Sequence, residues 1–152
     1  AGLYGSSGEV SEDPDFTVPF GVAAVRREGT DISLIGYSRG VQQSLKAADI
    51  LAKDGISAEV IDLRTLVPLD MDTVLASIRK THRAVVMQEE WRNAGFAAEI
   101  AARIYEQAFD ELDAPIQRVA GADVPMPYAK NLERAAIPTE NDIVLAARRA
   151  LS

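Results

Sequence analysis

Cysteine is absent from the 152 residues, which excludes disulfides and thiolate metal sites. Histidine occurs once, at His82, so no multi-histidine metal centre can be built. No apolar run approaches the roughly 20 residues that a membrane-spanning helix needs, and no stretch has the form of a signal peptide. A bacterial cytoplasm or a mitochondrial matrix is the expected setting, with no membrane partner. Basic charge is in deficit, with 16 Lys and Arg against 23 Asp and Glu and a net charge of −7. Nucleic-acid binders usually carry a basic face, so no nucleic-acid partner is expected. The acidic surplus serves solubility, and it would also favour a basic partner surface. What is present is ordinary: 47% hydrophobic and 26% charged residues, the balance of a soluble globular protein. The length suits one domain, with roughly 68–70% of the unfolded chain's surface buried at about this size.

The opening AGLYGSSGEVSEDPDFTVPFG has no apolar period and is rich in Gly, Ser, Pro and acids. It reads as an arm over residues 1–22, as expected of a piece cut from something longer, with one domain over 23–152. Short β-rich runs then alternate with helical stretches. Strands are expected at 32–37, 58–63, 84–87 and 116–119, with a further edge strand near 23–27. One amphipathic stretch places Val41, Leu45, Ala48 and Ala52 on a face and stops at Gly55. Pro68 breaks the chain, Asp70 caps the next helix, and Val74, Leu75 and Ile78 form its inner face. The longest helix should run over 94–109, with Phe96, Ile100, Ile104 and Ala108 aligned four apart. Thr139 and Asp142 resemble a capping box that opens the last helix. Strand–helix–strand alternation implies a three-layer α/β/α sandwich on a mostly parallel sheet of about five strands.

Several segments have the residue types of a site. Gly36-Tyr37-Ser38-Arg39-Gly40 matches G-x-S-x-G between a strand and a helix, as a nucleophile elbow requires. Ser38 would attack, His82 would be its base, and Asp54, Asp62 or Asp70 would orient the histidine. Against this, only an irregular arm precedes the elbow, and small residues are needed wherever a parallel strand turns into its helix. There is no G-x-G-x-x-G and no G-x-x-x-x-G-K-[ST], so dinucleotide or nucleotide binding lacks its glycines. Glu89 and Glu90 follow a buried strand, where α/β folds often build sites. They are an acid–base pair, a solvated loop, or a rim facing another subunit. Trp91 beside them is either a core plug or an interface anchor. Asp110-Glu111-Leu112-Asp113 is a solvated cluster or a docking patch for basic groups. Gly121 to Tyr128 carries two prolines with Met126 and Tyr128, and is a stiff contact surface or a cover over the domain's own core.

GADVPMPYAKNLE, from Gly121 to Glu133, resembles the signature near the C-terminus of pyruvate dehydrogenase E1 β subunits. VIDLRTLVPLD (Val60 to Asp70), AEIAARI (Ala98 to Ile104) and LDAPIQRV (Leu112 to Val119) join it in that family's order and spacing. LYGSSGEV (Leu3 to Val10) and FTVPFG (Phe16 to Gly21) are similar to the family's connection between its two domains. The resemblance covers essentially the whole chain and implies the transketolase-like C-terminal domain of the subunit. In that family, thiamine pyrophosphate is shared between the α subunit and the β subunit's N-terminal domain, which supplies the glutamate that activates the cofactor. The diphosphate and magnesium ligands come from the α subunit. No catalytic, cofactor-binding or metal residue is therefore carried over, and the chain alone is expected to bind no cofactor and to be inactive. The chemistry belongs mainly to the cofactor.

The family role the resemblance implies is assembly: a β homodimer, an E1 α subunit, and docking of the subunit-binding domain of the E2 acyltransferase. Asp113, Leu151 and Ser152 resemble the docking patch. Substrate remains open between pyruvate, which GADVPMPYA favours, and acetoin or branched-chain relatives. A free-standing interaction module reusing the fold is the alternative. The sequence departs from the family's E-E-G-W…G-G-x-G-A-E pattern, with Glu90, Ala94 and Ala97 at three glycine positions. Gly40 stands where relatives commonly carry proline or a bulkier residue. These departures bear on loop geometry.

Overall fold

Ile32, Leu34 and Ile35, Val60 and Ile61, and Val85 and Val86 form short aliphatic runs, the composition of strands buried on both faces. In the computed structural model, which describes residues 8–152, they lie in one five-stranded sheet. Its strands are β1 (Ala24–Arg27), β2 (Ile32–Gly36), β3 (Ala58–Asp62), β4 (Ala84–Trp91) and β5 (Gln117–Gly121). The order is β1-β3-β2-β4-β5. β2 pairs in parallel with β3 and β4, and β4 with β5, while β1 runs antiparallel along β3. In register, Leu34 faces Val60 on one side and Val85 on the other.

Five helices complete the fold: α1 (Arg39–Lys53), α2 (Met71–Thr81), α3 (Phe96–Ala108), α4 (Lys130–Ala136) and α5 (Glu140–Leu151). Alternate strand residues feed opposite cores. Leu34, Val60, Val85 and Met87 pack with α1 and α5, while Ile35, Ile61 and Val86 pack with α2 and α3. This is the expected three-layer sandwich. In α3 the stripe Ile100, Ile104 and Ala108 is buried as its spacing requires.

The face of α1 differs from expectation. Its buried residues are Gly40, Val41, Gln43, Ser44, Ala47, Ala48 and Leu51, while Ala52 is exposed. α1 packs on the sheet and against α5 together, so its buried arc is wider than one stripe and takes in two polar residues. Gln43 reaches across to donate to the Pro138 carbonyl at 2.7 Å.

The first seven residues, which hold Gly2, Leu3, Gly5, Ser6 and Ser7 of the expected arm, lie outside the described residues. From Gly8 to Val22 the arm has neither strand nor helix, and its end is stitched to the loop before α2. Gly21 donates to Thr65 Oγ1 at 2.9 Å and Ala23 to Asp70 Oδ2 at 2.8 Å. Asp70 is also the expected cap of α2, accepting from the Thr73 amide at 3.0 Å and its hydroxyl at 2.7 Å. Partial burial pushes the Asp70 carboxyl up, but the hydrogen bonds from Thr73 and Ala23 together outweigh it and hold the group below its ordinary value. A depressed folded pKa contributes stability above the unfolded value, near 3.9, and loses it as pH falls through the folded one. Asp70→Ala should cost about 1–2 kcal/mol in urea unfolding at neutral pH, a cap's usual worth. The difference from the parent should shrink in acid, and the arm should become easier to cleave near Gly21.

At the other end, Asp142 Oδ2 accepts from the Thr139 amide at 2.7 Å and its hydroxyl at 2.8 Å, so the expected pairing opens α5.

Candidate functional site

The carboxyl ends of the parallel strands are where this architecture places sites, and β4 is irregular there. Met87 pairs with Val119 but Trp91 with Gly121, so four residues of β4 advance against two of β5. Such a bulge twists the strand and re-aims its side chains. Gln88, 1% exposed, holds it from inside. Its Nε2 donates to the Trp91 carbonyl at 2.5 Å and the Glu90 carbonyl at 3.3 Å. Its Oε1 accepts from the Ala97 amide at 2.6 Å, in the first turn of α3. One buried amide therefore closes the bulge and satisfies a donor that the helix start leaves free. Gly121 is required opposite, because a Cβ there would stand 2.5 Å from the Glu89 carbonyl.

The bulge turns Glu89 and Glu90 toward the start of α1. Arg39 Nη1 lies 3.2 Å from Glu89 Oε1, and the Tyr37 hydroxyl donates to Glu90 Oε2 at 2.8 Å. Burial first, and the Glu90 carboxylate second, push the Tyr37 phenol well above its ordinary value. Both carboxylates are thus engaged by neighbours. The departures from the glycine-rich pattern have physical counterparts here: Glu90 supplies the tyrosine's acceptor, and Ala97 sits buried where Gln88 caps. Ala94 adopts φ +56°, a left-handed conformation that glycine takes without strain.

Trp91 is not a core plug. It is 56% exposed, with its indole N–H donating to the Val124 carbonyl at 3.0 Å. Asn93 braces the same segment, its amide and side chain reaching the two Asp123 carboxylate oxygens at 3.1 and 2.8 Å. The segment does not cover the domain's own core either, since Val124, Met126 and Tyr128 are all exposed. Trp91 shares one hollow with Met126 and another with Val124, so exposed apolar side chains gather here as they do at protein contacts.

Ser38 sits in the sharp turn after β2 with φ +52° and ψ −132°, a strained backbone such as an elbow would show. The partners of a triad are nonetheless not assembled. His82 caps the end of α2 and precedes β4, at the amino end of the strand beside β2, so it lies at the opposite edge of the sheet. Its Nδ1 is engaged with the Glu111 carbonyl at 2.8 Å. The small residues of this turn have a packing reason: a Cβ on Gly40 would lie 3.0 Å from Met87 Cγ.

The residues expected to dock a partner gather at that opposite end. Asp113 leads toward β5, its amide donating to the His82 carbonyl at 2.9 Å and its carboxylate 3.2 Å from Arg83. Leu151 closes α5, half-buried against the core that Ala114 also covers, and Ser152 is exposed. Arg148 anchors the end of α5 to Asp54 after α1, at 2.6 Å.

The fold and these surfaces define a doubly wound α/β domain with an exposed apolar edge and engaged carboxylates. The family model described as "Transketolase, C-terminal domain" matches residues 21–143, and the chain belongs to that family. It is 52% identical over 151 residues to the mitochondrial pyruvate dehydrogenase E1 component subunit beta-2 of Oryza sativa subsp. japonica, across 97% of this chain and 40% of the relative. It is 53% identical to the mitochondrial subunit beta of Dictyostelium discoideum, across 91% of this chain and 39% of the relative. The subunit beta of Rickettsia bellii is 48% identical across 97% of this chain and 45% of the relative. The chain thus spans less than half the length of these relatives. Among solved structures, a split-gene transketolase in an inactive β4 tetramer superposes with a TM-score of 0.78 and 27% identity, over 91% of this chain and 44% of that one. No helix among the described residues is long and apolar enough to cross a membrane.

Proposed function

We propose that this chain is the C-terminal assembly domain of the β subunit of a thiamine-dependent 2-oxo acid dehydrogenase acting on pyruvate. The observation that carries the reading is identity of about half the residues, over nearly the whole chain, to proteins named pyruvate dehydrogenase E1 β. The role is structural: pairing with a second β subunit, contact with the α subunit, and docking of the E2 subunit-binding domain. The exposed Trp91, Val124, Met126 and Tyr128 supply the apolar, aromatic surface that subunit contacts use. The solved relative that is an inactive tetramer of β chains supports self-association without another subunit.

The described residues do not fit thiamine pyrophosphate or its magnesium. No group of three acidic, histidine or cysteine side chains is placed to hold a metal ion among them. The carboxylates at the carboxyl edge of the sheet already answer Arg39 and Tyr37. The reading assigns cofactor chemistry to other parts of the full enzyme, as the family resemblance implies.

Docking would use Asp113 with Leu151 and Ser152, where an acid faces a basic partner and complementary charge sets orientation. Asp113 already pairs with Arg83 and must share or exchange that partner. In the intact subunit, Asp113→Ala should weaken E2 subunit-binding-domain affinity about tenfold, or about 1.4 kcal/mol, by calorimetric titration. Arg83→Gln, which frees the carboxylate, should not weaken it. Unchanged affinity in Asp113→Ala would remove this residue from the docking site.

A further inference from the structure

We propose that a concavity beside the free edge of β5 binds a phosphate-type dianion, as inorganic phosphate or a phosphate monoester. Arg92 follows the β4 bulge, Arg118 lies within β5, and Arg149 lies on the last turns of α5. All three line one hollow of about 250 Å³, with Gln117 and Asp142. Elements distant in sequence thus bring three arginines to the lining of one hollow in a protein whose net charge is −7. Like charges so placed repel, and none of the three forms an ion pair among the described residues. Among the described residues, the ion pairs engage Arg27, Arg39, Lys80, Arg83, Arg103 and Arg148 instead. The acid at the rim, Asp142, is committed to the amide and hydroxyl of Thr139. Three guanidinium groups against one carboxylate leave a charge of about +2, the complement of a dianion.

The chemistry favours phosphate over carboxylate. A guanidinium offers donors in a fixed fork, and one fork saturates a carboxylate, whereas a tetrahedral polyoxyanion accepts from several forks in different planes. Arg92 is positioned for this, because its Nη1 donates to the Arg118 carbonyl at 2.9 Å, tying the two residues together. The Gln117 side chain adds amide donors, although its Nε2 also reaches the Pro115 carbonyl at 3.0 Å. β5 is an edge strand, so one side of its backbone has no strand partner. The hollow is smaller than the roughly 300–1,000 Å³ that encloses a drug-sized ligand, which suits a phosphate group.

The test is thermal unfolding of the 152-residue chain, which carries both hydrophobic cores within itself, at constant pH and ionic strength. Chloride is replaced stepwise by inorganic phosphate, by glycerol 3-phosphate, or by succinate. A saturable rise in Tm is expected with phosphate and with the monoester, and none with succinate. Tighter binding of the monoester identifies an organic ligand, and equal binding identifies the bare anion. The Arg118→Gln/Arg149→Gln double variant should weaken the response at least tenfold, while Arg134→Gln, an exposed arginine on α4 outside the hollow, should leave it unchanged. In the unaltered protein, ¹⁵N spectra should show the Nε–H signals of Arg92, Arg118 and Arg149 moving together with phosphate. A response equal in succinate, equally weakened by Arg134→Gln, or absent would overturn the proposal.

Discussion

Gly95→Ala is expected to destabilise the domain by about 3–5 kcal/mol and to lower its Tm by roughly 10 °C or more. Gly95 needs no unusual backbone, since its φ of −76° suits any residue. Its constraint is space. A Cβ there would stand 1.8 Å from Gln88 Nε2 and 2.5 Å from the Trp91 carbonyl, and the second of these is backbone. A flexible side chain on the surface would swing aside cheaply. Gln88 is 1% exposed and its amide answers three backbone groups, so moving it leaves them unpaired. Overpacking alone costs about 1–3 kcal/mol, and a buried polar group without a partner adds about 1–3 kcal/mol. Domains keep only about 5–15 kcal/mol in total, so the loss would be plain in urea unfolding. Gln88→Ala should lose a similar amount, and the double variant should fall well short of the sum, because both changes open the same bulge. Gly8→Ala, with nothing within 4 Å, is the matched control. A Gly95→Ala protein melting within a degree or two of the parent would show that Gln88 is not the fastener described.

This fastener also marks the boundary of what the chain reveals when read as a sequence. Aliphatic runs disclosed β2, β3 and the first half of β4, and Asp70 and Thr139 disclosed the starts of α2 and α5, because those signals are local. β4 was expected to end at Met87 yet runs to Trp91, since its last residues are polar and are held by a bulge rather than by composition. α4 went unforeseen for a similar reason. It is seven residues long, mostly exposed, and follows two prolines without any amphipathic period. The roles of Glu89, Glu90 and Trp91 needed three dimensions. Arg39 and Tyr37, their partners, lie about fifty residues earlier in the chain. Family resemblance supplied what periodicity could not, a match to less than half the length of longer relatives, and the three-arginine hollow emerged only after folding.

A second distant pairing is hidden in β3, and it carries the other large effect. Glu59 points inward from a strand otherwise read as aliphatic and is 1% exposed, with Lys80 of α2 as its charge partner. Lys80 keeps 40% exposure and also meets Glu28 at 2.9 Å, so it bridges the interior and the surface. Hydrogen bonds to Glu59, then to Glu28, hold the lysine above its ordinary value, and the bond to Lys80 holds Glu28 below its own. For Lys80 the raised folded pKa means a contribution complete below about pH 10.4 and lost only as pH rises through the folded value. For Glu28 the depressed pKa means a contribution present above about pH 4.3 and lost on acidification. Lys80→Met should therefore cost about 3 kcal/mol at pH 7, because it strands a buried carboxylate. That figure sits at the low end of the buried-pair range, since water reaches the lysine end of the bridge. Removing both charges in Glu59→Leu/Lys80→Met should restore stability to within about 1 kcal/mol of the parent, since two matched apolar groups replace a desolvated pair. Urea unfolding of the parent and the two variants at pH 7 separates the cases. A double variant no more stable than Lys80→Met would mean that Lys80 acts through packing of its aliphatic stem.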